Sequence, residues 1–176
     1  FADPQNPLEM LTPKSSPISS AYFQPNLGGD MAAVRGMVKA LLETHRHQLA
    51  HGEPGLFEHA FIAVYTQGIE AYLAAVDNTP WAQITQQSGL SEEQIRHAAD
   101  IYQHAERVII TWAMGSTQHK HSVITVRELA NLQLLFGQLG KPGAGLCPVR
   151  GHSNVQGNRT MGIDEKPSAA LLDSLA

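Results

Sequence analysis

At 176 residues the chain can bury one sizeable core but is short for two domains. With 43% hydrophobic and 16% charged residues it has a folded protein's composition, and its net charge of −4 argues against a nucleic-acid or anionic-membrane surface. Any anion site must therefore be local. The single cysteine, Cys147, excludes an internal disulfide and a thiolate-held iron–sulfur cluster built from this chain alone, and makes a reducing, cytoplasmic compartment the expectation.

No stretch has the length and apolarity of a membrane span, and the N-terminus lacks a signal-peptide pattern. Residues 1–29 form a loop-rich lead-in punctuated by Pro4, Pro7, Pro13, Pro17 and Pro25, with a strand remnant at Phe1-Ala2-Asp3. The chain does not begin with Met, and FADPQNP reads like a strand end cut in mid-fold, so an excised piece of a larger polypeptide is expected. Gly29-Asp30 opens the first helix. Asp30 suits its N-cap, and Met31, Val34, Met37, Val38, Leu41 and Leu42 supply a buried stripe. His45, His47 and His51 fall near its end. With no acidic or thiol partner close in sequence, they read as histidines favouring the helix macrodipole rather than as metal ligands.

Two short helices follow, over 56–66 and 68–76, then a third from Pro80-Trp81 to Ser88-Gly89. Ser91 and Gln94 form a capping box, and the helix they start runs to Arg107 with Ile95, Ala98, Ala99, Ile101, Tyr102 and Ala105 inward. The β-branched and aromatic run from Val108 to Ala113 predicts a buried strand. Met114-Gly115-Ser116-Thr117-Gln118-His119 then lies at the strand's carboxyl end, where open α/β sheets place ligands. Val123, Val126, Leu129, Leu132 and Leu135 make a helical stripe that ends at Gly140, with Pro142 beyond.

From Lys141 to Gly162 a loop is expected, with glycines at 143, 145, 151, 157 and 162 and a dense set of donors: Arg150, His152, Asn154, Gln156, Asn158 and Arg159. Loops this long inside a domain are usually functional or disordered. Helix, strand, helix predicts an α/β fold, a Rossmann-like wound sheet flanked by helices. The chain thus reads as a single fragment, with a domain over 30–164, a helical insertion near 56–90, and a tail over 165–176.

WAMGSTQH and, one helix later, PGAGLCPVRGHSNVQGNRTMG together resemble the signature of the molybdopterin oxidoreductases, specifically formate dehydrogenase-like catalytic (alpha) subunits. The resemblance runs from about Phe57 to Gly162, and FEHAFIAVYTQGIEAYLAAV resembles the family's helical insertion. It implies that the chain is a fragment carrying a domain that binds a molybdenum bis-molybdopterin guanine dinucleotide. By position it assigns Met114, Gly115, Thr117, Gln118, His119, Gly151, His152, Asn154 and Gln156 to the cofactor. It places Gly29 and Asp30, with Asp3, near guanosine. Arg150 would stand beside the molybdenum and orient an anionic substrate, with His152 next to it. The molybdenum's own protein ligand would come from an earlier domain, which makes Cys147 a packed thiol.

The implied reaction is two-electron oxidation of formate to carbon dioxide. Further domains of the same polypeptide, with room for a 4Fe-4S cluster, and an electron-transfer partner would complete the protein. His152 departs from the family's pattern, which has Gln or Asn there. Two alternatives stand beside formate oxidation: another small substrate in the same family, and a non-redox binding module that keeps the fold.

Overall fold

The computed structural model describes residues 19–163 and 166–175; the expectations at Phe1 to Asp3 lie outside them. The core is organised round α1 (Asp30–Ala50). Its face of Val34, Val38, Leu41 and Leu42 is buried, against α3 (Ile69–Asp77), α4 (Trp81–Ser88), α5 (Glu92–Gln103) and α6 (Ser122–Leu135). The short α2 (His59–Tyr65) leans on α6. Gly36 allows the closest approach, since a Cβ there would sit 2.7 Å from Ile84 Cγ2 and 2.9 Å from Ile95 Cγ2. Among the described residues no helix is long and apolar enough to cross a membrane.

The helix starts follow local chemistry. Ser91 Oγ accepts from Gln94 N at 3.1 Å while Gln94 Oε1 accepts from Ser91 N at 2.9 Å, which is the expected capping box. Gly89 ends α4 at a left-handed φ of 73°. Asp30, by contrast, is the first residue of α1 rather than its cap; Gly29 holds that position, with no side-chain cap bond. α5 stops at Gln103 instead of reaching Arg107, and Ile101 is exposed rather than inward.

α6 differs most from its apolar stripe. Val123 is exposed, and beside Leu132 and Leu135 the buried face carries Thr125, Glu128 and Gln133. Glu128 is held by Arg35 and by the Tyr72 hydroxyl. The helix leaves its course at Leu135, short of Gly140, because Gly137 takes a φ of 58° and Gln138 N turns back to Gln133 O at 3.0 Å.

β1 (Ile109–Trp112) and β2 (Gly145–Pro148) pair in parallel, Ile109 opposite Gly145 and Trp112 opposite Pro148, with α6 as the crossover. Among the described residues this is the whole sheet, so the architecture is helix-rich with one βαβ unit, and a wound Rossmann-like sheet is not seen. Nor is 141–162 a plain loop, since it contains β2 and α7 (Val155–Thr160). Gln133, fully buried, explains where β2 docks. Its Nε2 donates to Val108 O and Gly145 O, both at 3.1 Å, and its Oε1 accepts from the Tyr102 hydroxyl at 3.3 Å. The tail forms α8 (Ala169–Leu175).

Candidate functional site

Parallel pairing in this register brings the two carboxyl ends side by side, and Val149 N donating to Trp112 O at 2.8 Å carries the pairing one residue further. The segment after β1 is a 3-10 turn over Met114–Thr117, in which Thr117 Oγ1 donates to Met114 O at 3.1 Å. The segment after β2 carries Arg150-Gly151-His152. A cavity of about 250 Å3 lies between them, and Trp112, Met114, Thr117, Arg150, Gly151 and His152 all line it. Both motifs thus meet at the edge of the sheet where side chains from two successive strands can reach one ligand.

The other expected site residues are placed differently. Gly115 and Gln118 are exposed and lie outside that lining. Asn154 directs its amide inward to its own segment, donating from Nδ2 to Asn158 Oδ1 at 3.2 Å. Gln156 is exposed on α7, its carbonyl accepting from Thr160 Oγ1 at 2.9 Å.

A second cavity, about 240 Å3, is bounded by Asp30 and Ser116 within a largely apolar wall that includes Phe23, Met37 and Leu129, and it shares Trp112 with the first. Gly29 is buried by packing; a Cβ would meet Gln87 O at 2.7 Å. His119 lies beside Gly28, and its Nε2 is buried without a hydrogen-bond partner among the described residues. Trp112, the wall common to both cavities, is the residue that motif reading passed over. Its position near the carboxyl end of the predicted strand, directly before the turn, is the available signal.

Among the described residues no group of three or more His, Cys, Asp or Glu converges as a metal site. His45 is instead a buried acceptor, its Nδ1 receiving Leu56 N at 2.8 Å and Phe57 N at 3.3 Å while its ring stacks on Phe57 at 4.2 Å. Burial, then His59 and Arg46, hold its pKa below 6.5, so it is kept neutral rather than charged for the macrodipole. Cys147 is exposed, not packed.

The fold defines the class of the segment as a βαβ unit with a cavity at the carboxyl ends of its paired strands. No family model matches the chain. Protein YdeP of Escherichia coli O6:H1 is 50% identical over 175 residues, covering 99% of this chain and 23% of that protein. Formate dehydrogenase H of Escherichia coli strain K12 is 41% identical over 132 residues, covering 75% of this chain and 18% of that protein. Acetylene hydratase from Pelobacter acetylenicus shares the fold, with a TM-score of 0.61 at 20% identity over 72% of this chain and 16% of that one. The chain therefore spans less than a quarter of the curated relatives it matches. It belongs to the formate dehydrogenase-like molybdopterin oxidoreductase family and corresponds to one segment of such a protein.

Proposed function

We propose that this segment binds a molybdenum bis-molybdopterin guanine dinucleotide within a larger oxidoreductase and supplies Arg150 to orient a small anionic substrate, formate being the first candidate. One observation carries the reading: both family motifs, contributed by adjacent strands, close on a single cavity. Among the described residues Arg150 has no hydrogen bond or ion pair, so its planar fork of donors is uncommitted within the chain and suits a carboxylate.

The donor set fits such a cofactor. Thr117 and His152 offer polar atoms around the first cavity, Asp30 and Ser116 around the second, and His119, whose Nε2 is unpartnered among the described residues, lies with its Nδ1 toward the lead-in turn at Gly28. An aspartate can accept from the N1 and N2 hydrogens of guanine, and hydroxyls can donate to phosphate. The bound group supplies the two-electron chemistry, while the chain positions and tunes it. Arg150 holds the substrate's negative charge by charge-assisted hydrogen bonds. Gly151 keeps the backbone close to the cavity, and Trp112 contributes to its wall. A 4Fe-4S cluster and an electron-transfer partner belong, on this reading, to parts of the protein outside this sequence.

His152 beside Arg150 in the same cavity favours a second reading, in which a different small substrate is handled, because an imidazole replaces the family's amide there. The test is made on the full-length polypeptide. Molybdenum and pterin should copurify with it, dye-linked formate oxidation should be measurable, and Arg150→Lys should depress it. Molybdenum-free protein would overturn the cofactor reading; molybdenum-loaded protein active on another small anion would select the second substrate reading.

A further inference from the structure

Met114 and Gly151 belong to different motifs, follow different strands, and touch. A Cβ built on Gly151 would overlap Met114 Sδ and lie 3.3 Å from its Cγ and 3.5 Å from its Cε. Gly151 is not among the glycines with positive φ, so its backbone conformation is one that other residues adopt. What the missing side chain provides is room for the thioether. An unbranched, polarizable side chain suits such a gap because it follows an irregular contour without needing hydrogen-bond partners. Arg150 and His152 flank this glycine and both line the cavity.

We propose that Met114 is a positioning residue: its thioether seats against Gly151 and thereby sets the direction in which Arg150 and His152 enter the cavity. The proposal rests on Arg150 acting on the substrate, and it gives Met114 a role distinct from touching the cofactor. Arg150 holds the substrate's charge from the ground state onward, so displacing it weakens substrate binding first and shows as a rise in KM.

The experiment uses the full-length polypeptide labelled with methyl-13C methionine, the Met114 resonance being the one lost in Met114→Leu. Gly151→Ala should move that resonance; an unmoved resonance overturns the contact. In turnover, Met114→Ala should raise KM for the small anion roughly tenfold or more with kcat less affected, since it loosens the orienting group. Met114→Leu, of similar volume, should restore most of this. Gly151→Ala should cost less when added to Met114→Ala than it costs alone, because the collision has been removed. A fall in kcat alone, or Gly151→Ala equally harmful in both backgrounds, overturns the positioning role. Wild-type protein that turns over no small anion overturns the function proposed above, and the methyl shift then decides the Met114–Gly151 contact by itself.

Discussion

The Tyr72 hydroxyl donates to Glu128 Oε2 at 2.7 Å, tying α3 of the helical insertion to the buried face of α6. The other carboxylate oxygen accepts from Arg35 Nε at 3.0 Å and from Arg35 Nη2, so α1 is tied to the same group. One side chain from α6 therefore joins three helices. Glu128 is 2% exposed, and removing one member of a buried pair strands the rest. Glu128→Ala is expected to cost about 3 kcal/mol, the low end of the range because Arg35 remains 25% exposed and water can reach it. Glu128→Gln, which keeps one acceptor, should cost less. Urea unfolding of both variants checks this, and an unchanged midpoint for Glu128→Ala would show the cluster to be inert.

The same cluster makes an alkaline prediction. Burial first, and then Glu128, push the Tyr72 pKa upward from 10.0. The folded chain therefore keeps this proton where the unfolded chain loses it, so stability falls as pH rises above about 10. Tyr72→Phe should make that decline shallower without abolishing it, because burial raises Tyr102 as well. Equal slopes for wild type and Tyr72→Phe between about pH 9 and pH 11, the range around an ordinary tyrosine pKa, would contradict the burial of this hydroxyl.

His45 has the opposite sign. Its pKa is lowered in the folded chain, chiefly by burial, so below about 6.5 the unfolded chain takes up a proton that the folded chain refuses. Stability is present above that pH and is lost as pH falls through it. His45→Asn should keep an acceptor near the Leu56 and Phe57 amides while removing the titration, and the acid limb of the stability profile should flatten. A variant as acid-sensitive as wild type would place the effect elsewhere.

These clusters also mark where sequence reading stopped. The capping box at Ser91 and the glycine stop at Gly89 were legible because each is settled by residues within one turn. The first ligand motif was legible because it directly follows a predicted strand, and the second because its glycine-punctuated, donor-rich stretch resembles a family pattern. Glu128, Thr125 and Gln133 were not, since polar residues on a helix read as its wet face until their partners are known, and Arg35 and Val108 are distant in sequence. β2 was missed for a related reason: Gly145-Leu146-Cys147-Pro148 is too short to show alternation, and what places it is an amide on α6. Within the site, Asn154 belongs to the second motif, and its amide is engaged by Asn158 inside the same segment.

Gln133 also links the core to the cavity. Its Nε2 bridges Val108 O and Gly145 O at the start of both strands, and the cavity opens at their other end. Gln133→Leu leaves both carbonyls without this donor, although Gly145 N still donates to Val108 O at 2.9 Å. Unsatisfied buried acceptors cost about 1–3 kcal/mol each, so a loss of roughly 2 kcal/mol is expected. Gln133→Glu should be worse at neutral pH, because a carboxylate would face two carbonyl oxygens with no donor of its own. Lowering the pH should narrow the gap between the two variants, since the introduced carboxyl group regains one donor once it is protonated. If Gln133→Glu were instead the more stable at neutral pH, the amide would not be oriented with its nitrogen toward the strands, and the account of how β2 is docked beside β1 would fail.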